Sequence, residues 1–215
     1  MKKVRVAIVD DHSLFREGMS ALLNEESTVQ ICIKAANGRD FLDQLKDTYQ
    51  TIDVLLLDME MPIMNGRETL EIVKMRHPHI KVLLLTMHNE DSFIVEMINR
   101  GANGFLLKDN SLETVLEAIT CVKQTDFYFN TRMRQALNNH NSIKQSTEHK
   151  TGIDFTLREL DVIKMICQEM TNKEISDNLK IGVRTVETHR NNIISKIGCR
   201  NTAGIALYAI KNNLV

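Results

Sequence analysis

Five polar residues in the first half of the chain have the types and the placement to act on a phosphoryl group. Asp10 and Asp11 follow the apolar run Val4–Val9, Asp58 follows Val54–Leu57, Thr86 follows Val82–Leu85, and Lys108 follows Gly104–Leu107. Three carboxylates brought together repel one another, and a hard divalent cation such as Mg²⁺, which takes oxygen ligands, relieves that repulsion. A hydroxyl and an ammonium beside the cluster bind the oxygens of an anion held by the metal. That set suits phosphoryl transfer, where catalysis is mostly positioning and charge neutralisation. An aspartate carboxylate can form an aspartyl phosphate, so Asp58 is the expected nucleophile. Mg²⁺ would bridge Asp58, Asp11 and the phosphoryl oxygens, Thr86 would donate to one oxygen, and Lys108 would neutralise another. Singly, each residue has a plainer role: an Asp after a strand is usually a turn former or helix cap, and a lone lysine is usually a solvated one.

Their meaning depends on the elements that carry them. Short apolar runs fit strands buried on both faces of a parallel sheet. A fifth run, Val29–Lys34, ends without a functional polar residue. Helical patterns lie between the runs: Leu14, Met19, Leu22 and Leu23; Phe41, Leu42 and Leu45; Leu70, Ile72 and Val73; Ile94, Val95 and Ile98; and Leu112, Val115, Leu116 and Ile119, with Ser111 as N-cap. Five strand–helix repeats predict a doubly wound α/β domain with a five-stranded parallel sheet over 1–125. In such a sheet the carboxyl ends of the strands share one edge, where ligands bind.

The pattern then changes. Residues 126–152 read as a linker, with a short helix near 130–137 and a polar stretch over 138–151. Residues 153–215 read as a small all-helical domain, with helices near Leu157–Glu169, Asn172–Leu179, Val183–Ile197 and Thr202–Asn212. The turn near Lys180–Gly182 between the second and third makes a helix-turn-helix. Arg and Asn read guanine and adenine edges in a major groove, and Lys and Arg hold phosphates. The polar face of 183–197 offers Arg184, Glu187, Thr188, Arg190, Asn191 and Lys196. The alternative is a solvated face of mixed charge.

The 215 residues carry a net charge of −1, which hides an asymmetry. Residues 1–125 have 14 Lys/Arg against 19 Asp/Glu, whereas 153–215 have 9 against 7. No apolar run approaches the ~18 residues of a membrane span, so no membrane association is expected. The run after Met1-Lys2-Lys3 is too short for a signal-peptide core. Four scattered cysteines suggest neither a zinc site nor a disulfide framework. A cytoplasmic location is the expectation.

Residues 1–125 resemble the receiver domain of bacterial response regulators. The likeness rests on VRVAIVDDH (4–12), on Asp58-Met-Glu-Met-Pro62-x-x-x-Gly66, on Leu-Leu-Thr86 and on Gly104-Phe105-Leu-Leu-Lys108. It implies phosphorylation of Asp58 by a sensor histidine kinase, and metal ligation by Asp10, Asp11, Asp58 and the backbone carbonyl of Glu60. It also implies a switch pairing Thr86 with the aromatic Phe105, whose plainer reading is a core residue. Asp109 stands where many receivers have proline, and Met87 where many have a small residue, which would alter the lifetime of the phosphorylated form. Glu60 and His88 flank the site.

Residues 153–215 resemble the LuxR-type helix-turn-helix domain of the NarL/FixJ group. The likeness rests on T-L-R-E-L (156–160), on T-N-K-E-I-S-D-N-L-K-I (171–181) and on R-T-V-E-T-H-R-N-N-I-I-S-K-I (184–197). It implies that Thr171, Asn172 and Lys173 start the scaffold helix and that 183–197, with Thr185 among its contacts, reads DNA. Ala203, Ala206, Leu207 and Ile210 would form a dimerisation face. Glu187 replaces a common Lys, which suggests a different base preference, and Gly182 replaces a Ser or Thr cap. Together the resemblances imply a phosphorylation-switched transcription regulator: a homodimer when phosphorylated, binding double-stranded promoter DNA, with RNA polymerase as a further partner. In such proteins the recognition helix is commonly covered until phosphorylation. The chain would be no enzyme beyond its own phosphotransfer and dephosphorylation. Three rival readings are a phosphorylation-independent DNA-binding regulator, a Mg²⁺-dependent phosphatase using Asp58, and a protein-binding adaptor.

Overall fold

The computed structural model describes residues 3–47, 51–87, 90–128, 135, 153–212 and 214–215. Its strands are β1 (Val4–Val9), β2 (Val29–Ala35), β3 (Val54–Asp58), β4 (Lys81–Thr86) and β5 (Gly104–Leu107). Helices α1 (Ser13–Glu25), α2 (Gly38–Asp47), α3 (Gly66–Arg76), α4 (Asp91–Asn99) and α5 (Leu112–Thr125) follow them in alternation. The second domain contains α6 (Leu157–Cys167), α7 (Asn172–Leu179), α8 (Val183–Ile197) and α9 (Thr202–Lys211). Among the described residues the strands form one parallel sheet in the order β2-β1-β3-β4-β5, the doubly wound arrangement the alternation predicts.

Successive strand side chains point to opposite faces. Ala7, Val9, Leu55, Leu57, Leu84 and Phe105 pack with residues of α2, α3 and α4, while Val6, Ile8, Leu56, Leu83, Leu85 and Leu106 pack with residues of α1 and α5. Both faces are covered, which is why these strands read as unbroken apolar runs. The core on the α2–α4 face continues into the helical domain, through Val162, Ile175, Val186 and Ile205. Capping boxes Thr156/Glu159 and Thr171/Glu174 start α6 and α7, and Ser111 caps α5 as its sequence predicts. Gly182 caps α8 without a side-chain hydrogen bond.

Two boundaries differ from expectation by more than one residue. The packed body of the first domain runs past residue 125: Phe127 and Tyr128 are buried, and Tyr128 N–H donates to the Asn103 carbonyl at 2.8 Å. Helix α6 stops at Cys167, because Glu169 takes a left-handed φ of 63°. Apart from Gln135, the expected helix at 130–137 and the polar stretch 138–151 lie outside the described residues, as does His88.

At the amino edge of the sheet Asp53 accepts hydrogen bonds from Arg5 N–H and Nε at 3.0 Å and from Lys123 Nζ at 2.6 Å. Burial alone would raise its pKa, but the Arg5 and Lys123 bonds outweigh it and hold the carboxyl well below the usual range. A carboxyl with a lower pKa folded than unfolded stabilises the fold above its unfolded pKa, and the contribution is lost as pH falls. Asp53→Asn is therefore expected to lower the unfolding free energy by about 1–2 kcal/mol at pH 7. The gap from the parent chain should narrow below about pH 4. Urea melts at pH 7 and pH 3 measure both.

Candidate phospho-acceptor site and DNA-reading helix

The sheet order makes β1, β3, β4 and β5 consecutive neighbours, so the residues that end them meet at one edge. Asp58 pairs in register with Leu85, one residue before Thr86, and Thr86 pairs with Leu107, one residue before Lys108. Lys108 Nζ lies 2.8 Å from Asp10 Oδ2 and 3.0 Å from Asp58 Oδ2. Asp58 Oδ1 accepts from Met59 N–H and Asp10 Oδ1 from His12 N–H, each at 2.8 Å. Ligand atoms of Asp10, Asp11, His12 and Asp58 all lie within 4.8 Å of one another.

Burial pushes the Asp58 carboxyl up, and the Asp10 charge adds to this, while Lys108 opposes it. Burial would lower the Lys108 ammonium, but its bonds to Asp10 and Asp58 prevail and raise it. One cation thus faces two buried carboxylates with a third beside them. Asp10 Oδ2, Asp11 Oδ1 and Asp58 Oδ2 are buried and take no well-aligned hydrogen bond, the first and last facing Lys108 as ion pairs. Such spare acceptor capacity fits a hard divalent cation.

The D-x-x-M-P-x-x-x-G spacing has a steric reason. The loop after β3 folds back so that Gly66 N–H donates to the Met59 carbonyl at 3.1 Å. A Cβ on Gly66 would stand 2.2 Å from the Asp58 carbonyl oxygen, so no other residue fits without moving the end of β3. Asp11 and the exposed Glu60 line one crevice of about 660 Å³ over this loop. Thr86 and Phe105 are buried, and Phe105 belongs to the α2–α4 core. Met87 is 75% exposed. Sequence reasoning gave Arg16 and His12 no part. Arg16 Nη1 donates to the Asp10 carbonyl at 2.6 Å, and His12 Nδ1 lies 3.1 Å from Asp11 Oδ1. The signal for His12 was its adjacency to the Asp pair.

In the helical domain Arg184, Thr185, Glu187, Thr188 and Asn191 are exposed on α8, and Lys173 is exposed on α7. The front of the recognition helix is therefore open, contrary to the expectation that it is covered. The covered parts are α9 and the middle of α8. Arg190 is 4% exposed: Nη2 donates to the Thr125 carbonyl at 2.8 Å and lies 3.2 Å from Asp126 Oδ2, and the guanidinium also bonds Asn172 and Thr202. In this arrangement Arg190 ties the domains together and is not presented to a groove. Its position was legible, since Val186, Arg190, Ile193 and Ile197 fall on one helical stripe. Lys196 pairs with Glu159 at 2.7 Å. Ala203, Ala206 and Leu207 are buried and Ile210 partly so, which leaves this face unavailable to a second copy as the domains now sit. Leu207 shares a cavity wall with Val95 and Ile98 of α4. Asn201 Nδ2 donates to the Gly101 and Ala102 carbonyls at 2.8 and 2.9 Å.

A five-stranded parallel sheet with this acidic edge, joined to a helix-turn-helix bundle, is the architecture of a signal-receiving DNA-binding regulator. Family models agree: residues 6–120 match the response regulator receiver domain, and residues 154–209 match the luxR family of bacterial regulatory proteins. The chain is 30% identical over 217 residues to the oxygen regulatory protein NreC of Staphylococcus aureus, covering 99% of both chains. It is 29% identical to the transcriptional regulatory protein LnrK of Bacillus subtilis, covering 97% of both. Among solved structures it resembles the RcsB response regulator of Salmonella typhimurium, with a TM-score of 0.59 at 18% identity over 97% of this chain and 98% of that one. The chain belongs to the two-component response regulators that join a receiver to a LuxR-type DNA-binding domain. It is a transcription regulator rather than a conventional enzyme.

Arg190→Met should lower the unfolding free energy by about 2 kcal/mol, less than a fully buried pair would lose because Asp126 keeps Lys81. Urea denaturation of the full chain measures it.

Proposed function

We propose that Asp58 accepts a phosphoryl group from the histidine of a sensor kinase in a Mg²⁺-dependent step, and that the resulting charge releases α9 for dimerisation on promoter DNA. The observation that carries this is the convergence of Asp10, Asp11, Asp58 and Lys108 at one strand edge, on a sheet whose α4 also holds the DNA-binding domain. Bound Mg²⁺, held by Asp10, Asp11, Asp58 and the Glu60 carbonyl, would neutralise charge on the phosphoryl oxygens. An Asp58 carboxylate oxygen attacks phosphorus as the bond to the histidine nitrogen breaks. Lys108 turns from the two carboxylates toward a phosphoryl oxygen, and the Thr86 hydroxyl donates to another.

Thr86 ends β4, and α4 begins five residues later. Drawing Thr86 toward the phosphoryl group strains the connection to α4, and Val95 and Ile98 of α4 are the residues facing Leu207. Freed from α4, the face formed by Ala203, Ala206, Leu207 and Ile210 can pair with a second copy. Arg184, Thr185, Glu187, Thr188 and Asn191 would meet base edges and phosphates. Thr171, Asn172, Lys173, Lys196 and a released Arg190 would fix the helix on the backbone. Two copies then address two half-sites, beside RNA polymerase.

Light scattering tests the coupling. Beryllium fluoride with Mg²⁺, which mimics the phosphoryl group, should shift the chain from monomer mass toward dimer, and Asp58→Asn should not respond. An unchanged mass in the parent chain contradicts the reading. Asn201→Asp keeps the carbonyl-type oxygen that caps Gly204 N–H but loses both donors to the receiver. It should raise the dimer fraction without the mimic, by the same measurement.

A further inference from the structure

Between the two domains lies a cleft of about 830 Å³, on the far side of α3 and β4 from the acidic pocket. Its receiver wall includes Lys74 on α3, Lys81 on β4, Asn103 before β5 and Asp126 after α5, and its other wall includes Asn191 on α8 and Arg200 before α9. The cleft is well within the size range of small-molecule sites.

Its charge is unevenly matched. Asp126 is already neutralised by Lys81 at 2.5 Å and by Arg190 at 3.2 Å. Glu71, also in the lining, is paired with Arg100. Arg200 Nη1 donates to the Arg100 carbonyl at 3.3 Å, and among the described residues no carboxylate pairs with its guanidinium. Lys74 Nζ donates to the Ile80 carbonyl at 2.8 Å and to Asn103 Oδ1 at 2.6 Å, both neutral acceptors. Among the described residues no carboxylate stands within ion-pair distance of Lys74. An ammonium donates three hydrogen bonds, so one remains for an occupant of the cleft.

We propose that this interdomain cleft binds a metabolite-sized anion carrying phosphate or carboxylate groups, with Lys74 and Arg200 supplying the charge and Asn191 a neutral polar contact. Two cations with no carboxylate partner among the described residues, on walls contributed by different domains, suit an oxyanion that bridges them. Because both domains build the site, an anion there favours the arrangement in which they are docked, by simple linkage. The cleft contains none of the residues of the acidic pocket, but because phosphorylation of Asp58 is read above as undocking the domains, that modification and the anion oppose each other by linkage.

The lysine gives the proposal a signature. Burial, aided by the Lys81 charge and opposed by Asp126, lowers the Lys74 pKa to about 7. A bound anion favours the charged form, so binding must draw a proton from solvent. At pH 7.5 the uptake should be roughly 0.7 proton per anion if binding raises that pKa by about two units. Glu71, Lys81, Asp126 and Arg200 are the other charged groups that line the cleft. His77, at the end of α3 beside the lining residue Pro78, has its imidazole pKa pushed down by burial and by the neighbouring His79 and Arg76.

The experiment is isothermal titration of the full chain, without divalent metal, with inorganic phosphate in one arm and citrate in the other, each in two buffers of different ionisation enthalpy. Binding in either arm with proton uptake is the expected result, and the arm that responds names the oxyanion. Lys74→Met should abolish the uptake and weaken binding at least tenfold. Arg200→Gln, an exposed position that leaves the fold intact, should weaken binding severalfold while uptake per bound anion persists. No heat from either anion at 10 mM overturns the proposal. So does binding unaffected by both substitutions, and so does uptake in the citrate arm that survives Lys74→Met.

Discussion

A single ammonium held between two buried carboxylates is the arrangement on which the receiver depends. Lys108 stands within 3.0 Å of both Asp10 and Asp58, at the edge of a sheet buried on both faces. Like charges this close in a low-dielectric setting are tolerable because the lysine balances them. The balance is incomplete, since burial and the Asp10 charge still push the Asp58 carboxyl up. The site is therefore poised to take further positive charge.

The sheet explains how such a local change can reach the DNA-binding domain. Its α2–α4 face shares one continuous core with the helical bundle, so α4 is packed between the switch edge and α9. The docking itself is polar at its ends and apolar in its middle. Asn201 bonds the turn after α4, Arg190 bonds the end of α5, and Leu207 lies between them against α4. Contacts of this mixed kind are typical of interfaces that open. The face of Ala203, Ala206 and Leu207, proposed above for dimerisation, is what this arrangement covers, while Arg184, Thr185 and Glu187 at the start of α8 stay exposed. Control would then act on assembly of the paired reader more than on access to each reading surface.

Much of this was legible in the chain. Apolar runs ending in Asp, Asp, Thr and Lys located the strands and the site together, because a parallel sheet puts all those ends on one edge. Gly66 was legible as part of a motif, but its reason, a backbone approach to the Asp58 carbonyl, was visible just in three dimensions. The packing of Asp126, Phe127 and Tyr128 onto the first domain was not legible, because they carry no strand or helix period; they are held by burial and by Asn103.

The polar face of α8 shows the division most clearly. Composition marked Arg190 as a reader of DNA, while its place on the Val186–Ile193–Ile197 stripe marked it as buried. The amino-acid sequence by itself determined the two folds, the acidic edge and the helix that would read DNA, because periodicity and strand-end chemistry are local properties. The tertiary structure alone decided which surfaces of the two domains meet, because that depends on pairings such as Arg190 with Thr125 and Asp126, or Asn201 with Gly101, between residues 64 or more positions apart. No local pattern records such a pairing, since its energy exists after both domains have folded and their surfaces have been brought together.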